Sequence, residues 1–177
     1  MSEQSSLFVK IKIKKEKLEQ FLNAKLTKPE VDENWAKWWD SREMYSKDAL
    51  TEIATYDAAT NREVLEKQTF DPKGGWEEEG VFAFSIAIFS ENFFEIQPML
   101  AWLTGIAPYM DKGDTGVAFI YDFFWGGDDV MAHVEFENQQ AVFKTTTSTA
   151  EIKPEVLEEA NSVLQRAVDI LNEEHGH

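Results

Sequence analysis

Histidine and carboxylate are the side chains in this chain that could do chemistry, because its 177 residues include no cysteine. Without cysteine there are no disulfides, no Cys-based zinc sites and no thiol nucleophile. Of the three histidines, His175 and His177 fall in the last three residues, where a pair on a chain end is a weak metal ligand at best. His133 sits in an alternating run, on the same side as Met131 and Glu135. Catalysis would require a convergent nucleophile or acid–base partner, and no G-x-S-x-G elbow is present, so His133 reads first as a sheet-surface histidine. Asp122, Glu135 and Glu137 could share one sheet face and offer hard oxygen ligands to Mg²⁺ or Ca²⁺. No EF-hand spacing supports that, and Asp128 and Asp129 beside Gly126-Gly127 are what a turn uses for its own geometry. Gly74-Gly75 and Gly126-Gly127 are isolated pairs, with neither a Walker pattern nor a G-x-G-x-x-G fingerprint. The expectation is a protein with no cofactor, no metal and no enzymatic activity.

Charge and aromaticity carry more information. There are 33 Asp and Glu against 17 Lys and Arg, a net charge of -16. The excess is uneven. Up to Lys28 seven Lys face three Glu, a net +4, whereas from Pro29 onward ten basic residues face thirty acidic ones, a net -20. A field of that sign repels nucleic acid and anionic membranes and attracts basic partners. Acid meets large rings at two places: Glu77, Glu78 and Glu79 follow Trp76, and Asp128 and Asp129 follow Phe123, Phe124 and Trp125, with Asp122 just before them. Aromatic anchors ringed by charge suit a protein interface, so Trp76 and Trp125 are candidate anchors and Glu77, Glu78, Glu79, Asp122, Asp128 and Asp129 candidate steering groups. Trp35, Trp38 and Trp39 form a third aromatic stripe, which reads as core.

These groups must be positioned by a fold, and the periodicity predicts one domain over residues 1–177. Leu7–Lys14 alternates as a half-buried strand with a solvated lysine face, and a helix follows over Lys15–Lys25. Asp32 caps a short helix carrying the three tryptophans, and Asp48 caps another through Leu50, Ile53 and Ala54, whose extension to Val64 and Leu65 is open. Phe70–Gly75 is a turn. Val81–Phe89, apolar on both sides, reads as a central strand. Pro98 opens a helix through Ile106 that ends near Pro108. Val117–Trp125, Val130–Glu137 and Ala141–Ser148 are three meander strands joined at Gly126–Asp129 and Asn138–Gln140, with Val130, Ala132, Val134 and Phe136 on one face. Pro154 starts a long helix with Leu157, Ala160, Leu164, Ala167, Val168 and Leu171 as its buried stripe. Grouped rather than alternating elements predict an α+β fold with a largely antiparallel sheet of about five strands, packed by helices. The apolar runs are too short to span a bilayer and no secretory signal is visible, so a soluble cytoplasmic protein is expected.

The opening strand-to-helix unit LFVKIKIKKEKLEQFL and the acid-tipped hairpin FIYDFFWGGDDVMAHVEFE give the chain a general character that resembles bacterial toxin-immunity proteins, of the kind paired with contact-dependent growth inhibition or other polymorphic toxins. The resemblance implies a cytoplasmic inhibitor that binds one cognate, basic toxin, often a nuclease. Two other readings stay open. One is an acidic secretion-chaperone-like module. The other is a carboxylate/His enzyme built on Asp122, His133 and Glu135.

Overall fold

The computed structural model describes residues 4–42, 49–68, 80–90 and 92–174. Among these residues, five antiparallel strands form one open sheet: β1 (Ser5–Lys12), β2 (Val81–Ser90), β3 (Gly116–Tyr121), β4 (Val130–Glu137) and β5 (Gln140–Lys144), in the spatial order β2-β1-β3-β4-β5. Among the same residues, five α-helices accompany them: α1 (Lys15–Asn23), α2 (Glu33–Ser41), α3 (Asn61–Gln68), α4 (Phe93–Thr104) and α5 (Pro154–Glu174). The expected α+β class and the C-terminal three-strand meander are both present. Among the described residues, no helix is long and apolar enough to cross a membrane.

The sheet is covered on both faces. On one, α1, α2, α3 and α4 bury Leu18, Phe21, Trp35, Trp38, Leu65, Leu100 and Leu103 against Val9, Ile11, Phe82, Ile120 and Val134. On the other, α5 lays Ala160 and Leu164 over Phe8, Ala87, Phe119 and Tyr121, and the side chain of Leu171 lies outside the described residues. The tryptophan stripe is core, as its helical spacing implies.

The two covered faces correct the expectation for β2. It is an edge strand, not a central one. Its unbroken apolar run reports helices above and below it, which says nothing of its lateral place. The central place belongs to β3; β1 lies between β2 and β3, and its lysine face is only partly solvated, since Phe8 on that face is buried and Lys10 pairs with Glu159 of α5.

Three helix boundaries also differ. Residues 49–58 are not helical; Ile53 enters the core from irregular backbone, and the amide of Ala54 bonds the side chain of Gln97. The helix begins instead after Thr60, which caps the amide of Glu63, while the Glu63 carboxylate accepts from the amide of Ala59 (2.7 Å). Thr60-x-x-Glu63 is the sequence pattern of a capping box, with the Glu63 carboxylate reaching one residue further back than the cap, to the amide of Ala59. The expected cap at Asp48 and the turn at Phe70–Gly75 lie outside the described residues. In the third case α4 starts earlier than Pro98. Asn92 caps it through the amide of Phe94 (2.8 Å), leaving Pro98 inside the helix.

Two β-bulges interrupt the ladders, and both flank the same rung, Ser6–Tyr121–Val130. Between β1 and β2, Ala87, Ile88 and Phe89 stand where only Ser6 stands opposite, and the Ser6 hydroxyl donates to the Ala87 carbonyl. Between β3 and β4, Met131 is the extra residue. The second bulge corrects the expected alternation. Ala132, Val134 and Phe136 face the α2 side as read, but Val130 is turned to the α5 side and Met131 packs with the opposite cluster. The Val130 and Met131 carbonyls at this bulge are met by α2 and its C-cap residue: Arg42 Nη1 donates to Val130 (2.7 Å) and Trp38 Nε1 to Met131 (3.0 Å).

Candidate functional site

The bulged end of the sheet carries the β3–β4 loop, residues 122–129. The strand β3 stops at Tyr121, short of the expected Trp125, because the loop builds its own hydrogen bonds. The Asp122 amide donates to the Asp129 carbonyl (3.0 Å), closing the loop's neck. Asp122 Oδ1 accepts from the amide of Trp125 (3.2 Å), and the Gly126 amide donates to the Phe123 carbonyl (3.2 Å). Gly126 is in the left-handed region, with φ 77°, which a glycine adopts without steric cost.

A second loop braces this one. The Thr149 amide donates to the Asp128 carbonyl (2.8 Å), the Val130 amide to the Thr147 carbonyl (3.1 Å), and Asp129 bridges Ser148. Those bonds replace the tail of the third meander strand, which ends at Lys144 and not at the expected Ser148. Beneath the loop, Phe123 packs edge-on to Tyr121 (6.2 Å), and the Tyr121 hydroxyl donates to Asn161 of α5 (2.7 Å). Burial raises the pKa of that phenol, so it stays a neutral donor.

On this frame Phe124 and Trp125 stand out, 41% and 46% exposed, with their rings in edge-to-face contact at 5.3 Å. Asp128 and Asp129 beside them are exposed. Asp122 is half-exposed, and its bond to Trp125 places it within the loop's own framework. Of the residues singled out from sequence, the structure therefore brings Asp122, Trp125, Asp128 and Asp129 together on one loop. Trp76, Glu77, Glu78 and Glu79 lie outside the described residues, as do His175 and His177. Phe124 belongs with the four. Its exposure is set by the turn after Asp122, which reverses the strand alternation that would have assigned its side.

The histidine and carboxylate constellation is not assembled. His133 pairs across the sheet with Phe119 and Glu135 with Val117, whereas Asp122 lies past Tyr121 at the strand's end. At about 3.3 Å per residue, that puts Asp122 about 10 Å along the sheet from His133 and about 16 Å from Glu135. Among the described residues no group of three potential ligands could hold a metal ion. His133 is also not a surface group, being only 5% exposed. The chain after β5 folds over it, so that Nδ1 lies 2.8 Å from the Thr146 hydroxyl while Phe119 packs edge-on against the ring. Burial lowers its pKa against the opposing pull of Glu135, whose carboxylate lies 3.6 Å from Nε2. A neutral imidazole wedged between Thr146 and Phe119 is a packed side chain.

Compared with known proteins, the chain matches no family model, no curated protein and no solved structure.

Proposed function

We propose that this chain is an immunity-type inhibitor: a non-enzymatic protein that binds a basic toxin domain through the 122–129 loop. In this reading Trp125 and Phe124 are the anchors, Asp128 and Asp129 steer and pair, and Asp122 holds the loop in its binding shape. The observation that supports the reading best is the exposure of two adjacent aromatic rings on a hydrogen-bonded acidic loop. Exposed rings gain free energy when a partner covers them, and binding hot spots are enriched in tryptophan. A loop already fixed by backbone bonds loses little conformational freedom on docking. The net charge of -16 favours encounter with a cationic surface, such as one shaped for phosphate.

The test is growth rescue. The products of the genes that flank this chain's own are expressed alone and together with the chain, and one that is toxic alone is the domain tested. Restored growth with the wild-type chain, and loss of rescue with the double variant W125A/D128N, are expected. Failure of the wild-type chain to restore growth or to bind that domain would refute the proposal.

A further inference from the structure

The exposed rings of the loop are not isolated. Among the described residues, the large apolar side chains that stand most exposed are Ile88, Phe94, Phe124, Trp125 and Ile170, and all but Ile170 belong to the bulged end of the sheet. Ile88, 46% exposed, is the middle residue of the β2 bulge. Phe94, 60% exposed, lies four residues past the end of β2, in the first turn of α4. Phe94 packs on Trp39 (5.9 Å), and the neighbouring Trp38 bonds the carbonyl of the bulged Met131. The aromatic array of α2 thus links the β2 side of this end to the β4 side. Strands β2 and β3 are two sheet spacings apart, about 10 Å, well within the footprint of one protein partner of about 800 Å².

The two bulges have a common consequence. Each adds backbone beside the same rung, and the one in β2 turns Ile88 outward from a strand whose other apolar residues are buried or half-buried. Bulges are over-represented at sheet edges and beside active sites, where they re-aim a side chain or end the pairing. Left exposed, Ile88 and Phe94 hold apolar surface in water beside an edge strand, where pairing with other chains is a hazard.

From this arrangement we infer a second anchor, Ile88 with Phe94, that the same basic partner covers when it docks on Phe124 and Trp125. The inference rests on the proposed reading of the loop and extends it to the β2 side of the sheet end. The occupant is a basic protein and not a second copy of this chain, because two copies would bring together two surfaces of a molecule at -16, while Asp128, Asp129 and the exposed Glu95 complement a cationic one.

The experiment uses the flanking-gene product found toxic in the growth assay, in an inactive form, as the probe in calorimetry against wild type, F94A, I88S and W125A. Circular dichroism checks each fold, and sedimentation gives the oligomeric state. The expected result is that F94A and W125A each weaken binding about tenfold or more and I88S weakens it measurably, as truncation of hot-spot residues does. If W125A weakens binding while F94A and I88S stay within about twofold of wild type, the second anchor is refuted and the loop reading stands. If neither W125A nor F94A changes affinity, or the wild type does not bind, both are refuted. If the wild type is a dimer that F94A dissociates, the face belongs to self-association and the inference is overturned.

Discussion

Asp122 and Gly127 are matched across the tip of the β3–β4 loop. The Asp122 carboxylate fills the space that any β-carbon at position 127 would need, well inside van der Waals contact. The same carboxylate accepts the amide of Trp125, so the absence of a side chain at one position fixes the exposed ring at another.

Replacing Gly127 by alanine should therefore push the Asp122 carboxylate away and free the Trp125 amide. The expected loss of stability is small, about 1 kcal/mol, because the bond lies in a solvated loop. The diagnostic readout is hydrogen exchange. The Trp125 amide should exchange faster in G127A and in D122A, with the amides of β3 unchanged. Equal protection in wild type and both variants would contradict the match.

The bulge at Met131 depends on α2. Trp38 and Arg42 satisfy the Val130 and Met131 carbonyls, and Arg42 is buried to do so. W38F keeps most of the ring but removes the donor, and should cost about 1–3 kcal/mol in urea unfolding. R42A should cost about 2–4 kcal/mol, since it leaves a buried carbonyl unmet and a void beside it. Because the bulge lies beside the loop, both variants should also speed exchange at Asp122 and Val130.

His133 makes stability depend on pH. Its folded pKa is lowered by burial, while the unfolded chain titrates near the ordinary value of about 6.5. Above that value both states are neutral and the fold bears no penalty. As pH falls through about 6.5 the unfolded state takes up the proton first, so stability is lost progressively until the folded pKa is reached. The groups facing the ring are Glu135, Lys144 and Glu151, of which the two glutamates oppose the shift without reversing it. H133N should flatten the fall in denaturant midpoint between about pH 7.5 and pH 5 relative to wild type. An equal slope in both proteins would contradict the assignment.

Much of this fold is written locally. Gly126-Gly127 and Asn138-Gln139 mark the two meander turns; the latter pair has φ of 51° and 61°, as a two-residue hairpin of primed type requires. Pro154 marks the start of α5, and the alternation of Leu7, Val9 and Ile11 marks β1. What sequence could not supply depends on partners distant in the chain. The side to which Val130 points is decided by a bulge that Trp38 and Arg42 stabilise from about ninety residues away. The edge position of β2 is invisible in a segment whose two faces are both covered. The candidate site divides in the same way. Trp125, Asp128 and Asp129 were legible as acid beside a ring at a turn, whereas the exposure of Ile88 exists only because Ser6 stands opposite three residues of β2.

Electrostatic steering makes a separate demand on rates. Association of the chain with its partner should slow with added salt, and D128N/D129N should reduce both the association rate and its salt dependence, with dissociation little changed. Stopped-flow tryptophan fluorescence gives these rates. A salt-independent association rate would remove steering from the proposal and leave only the aromatic contact.

The most direct test of the central claim is calorimetric titration of the flanking-gene product found toxic in the growth assay against wild type and W125A. The account predicts tight binding by wild type and affinity at least about tenfold weaker for W125A, with an unchanged thermal midpoint, because the ring is exposed and leaves no cavity in the core. Equal affinity for the two proteins would contradict it.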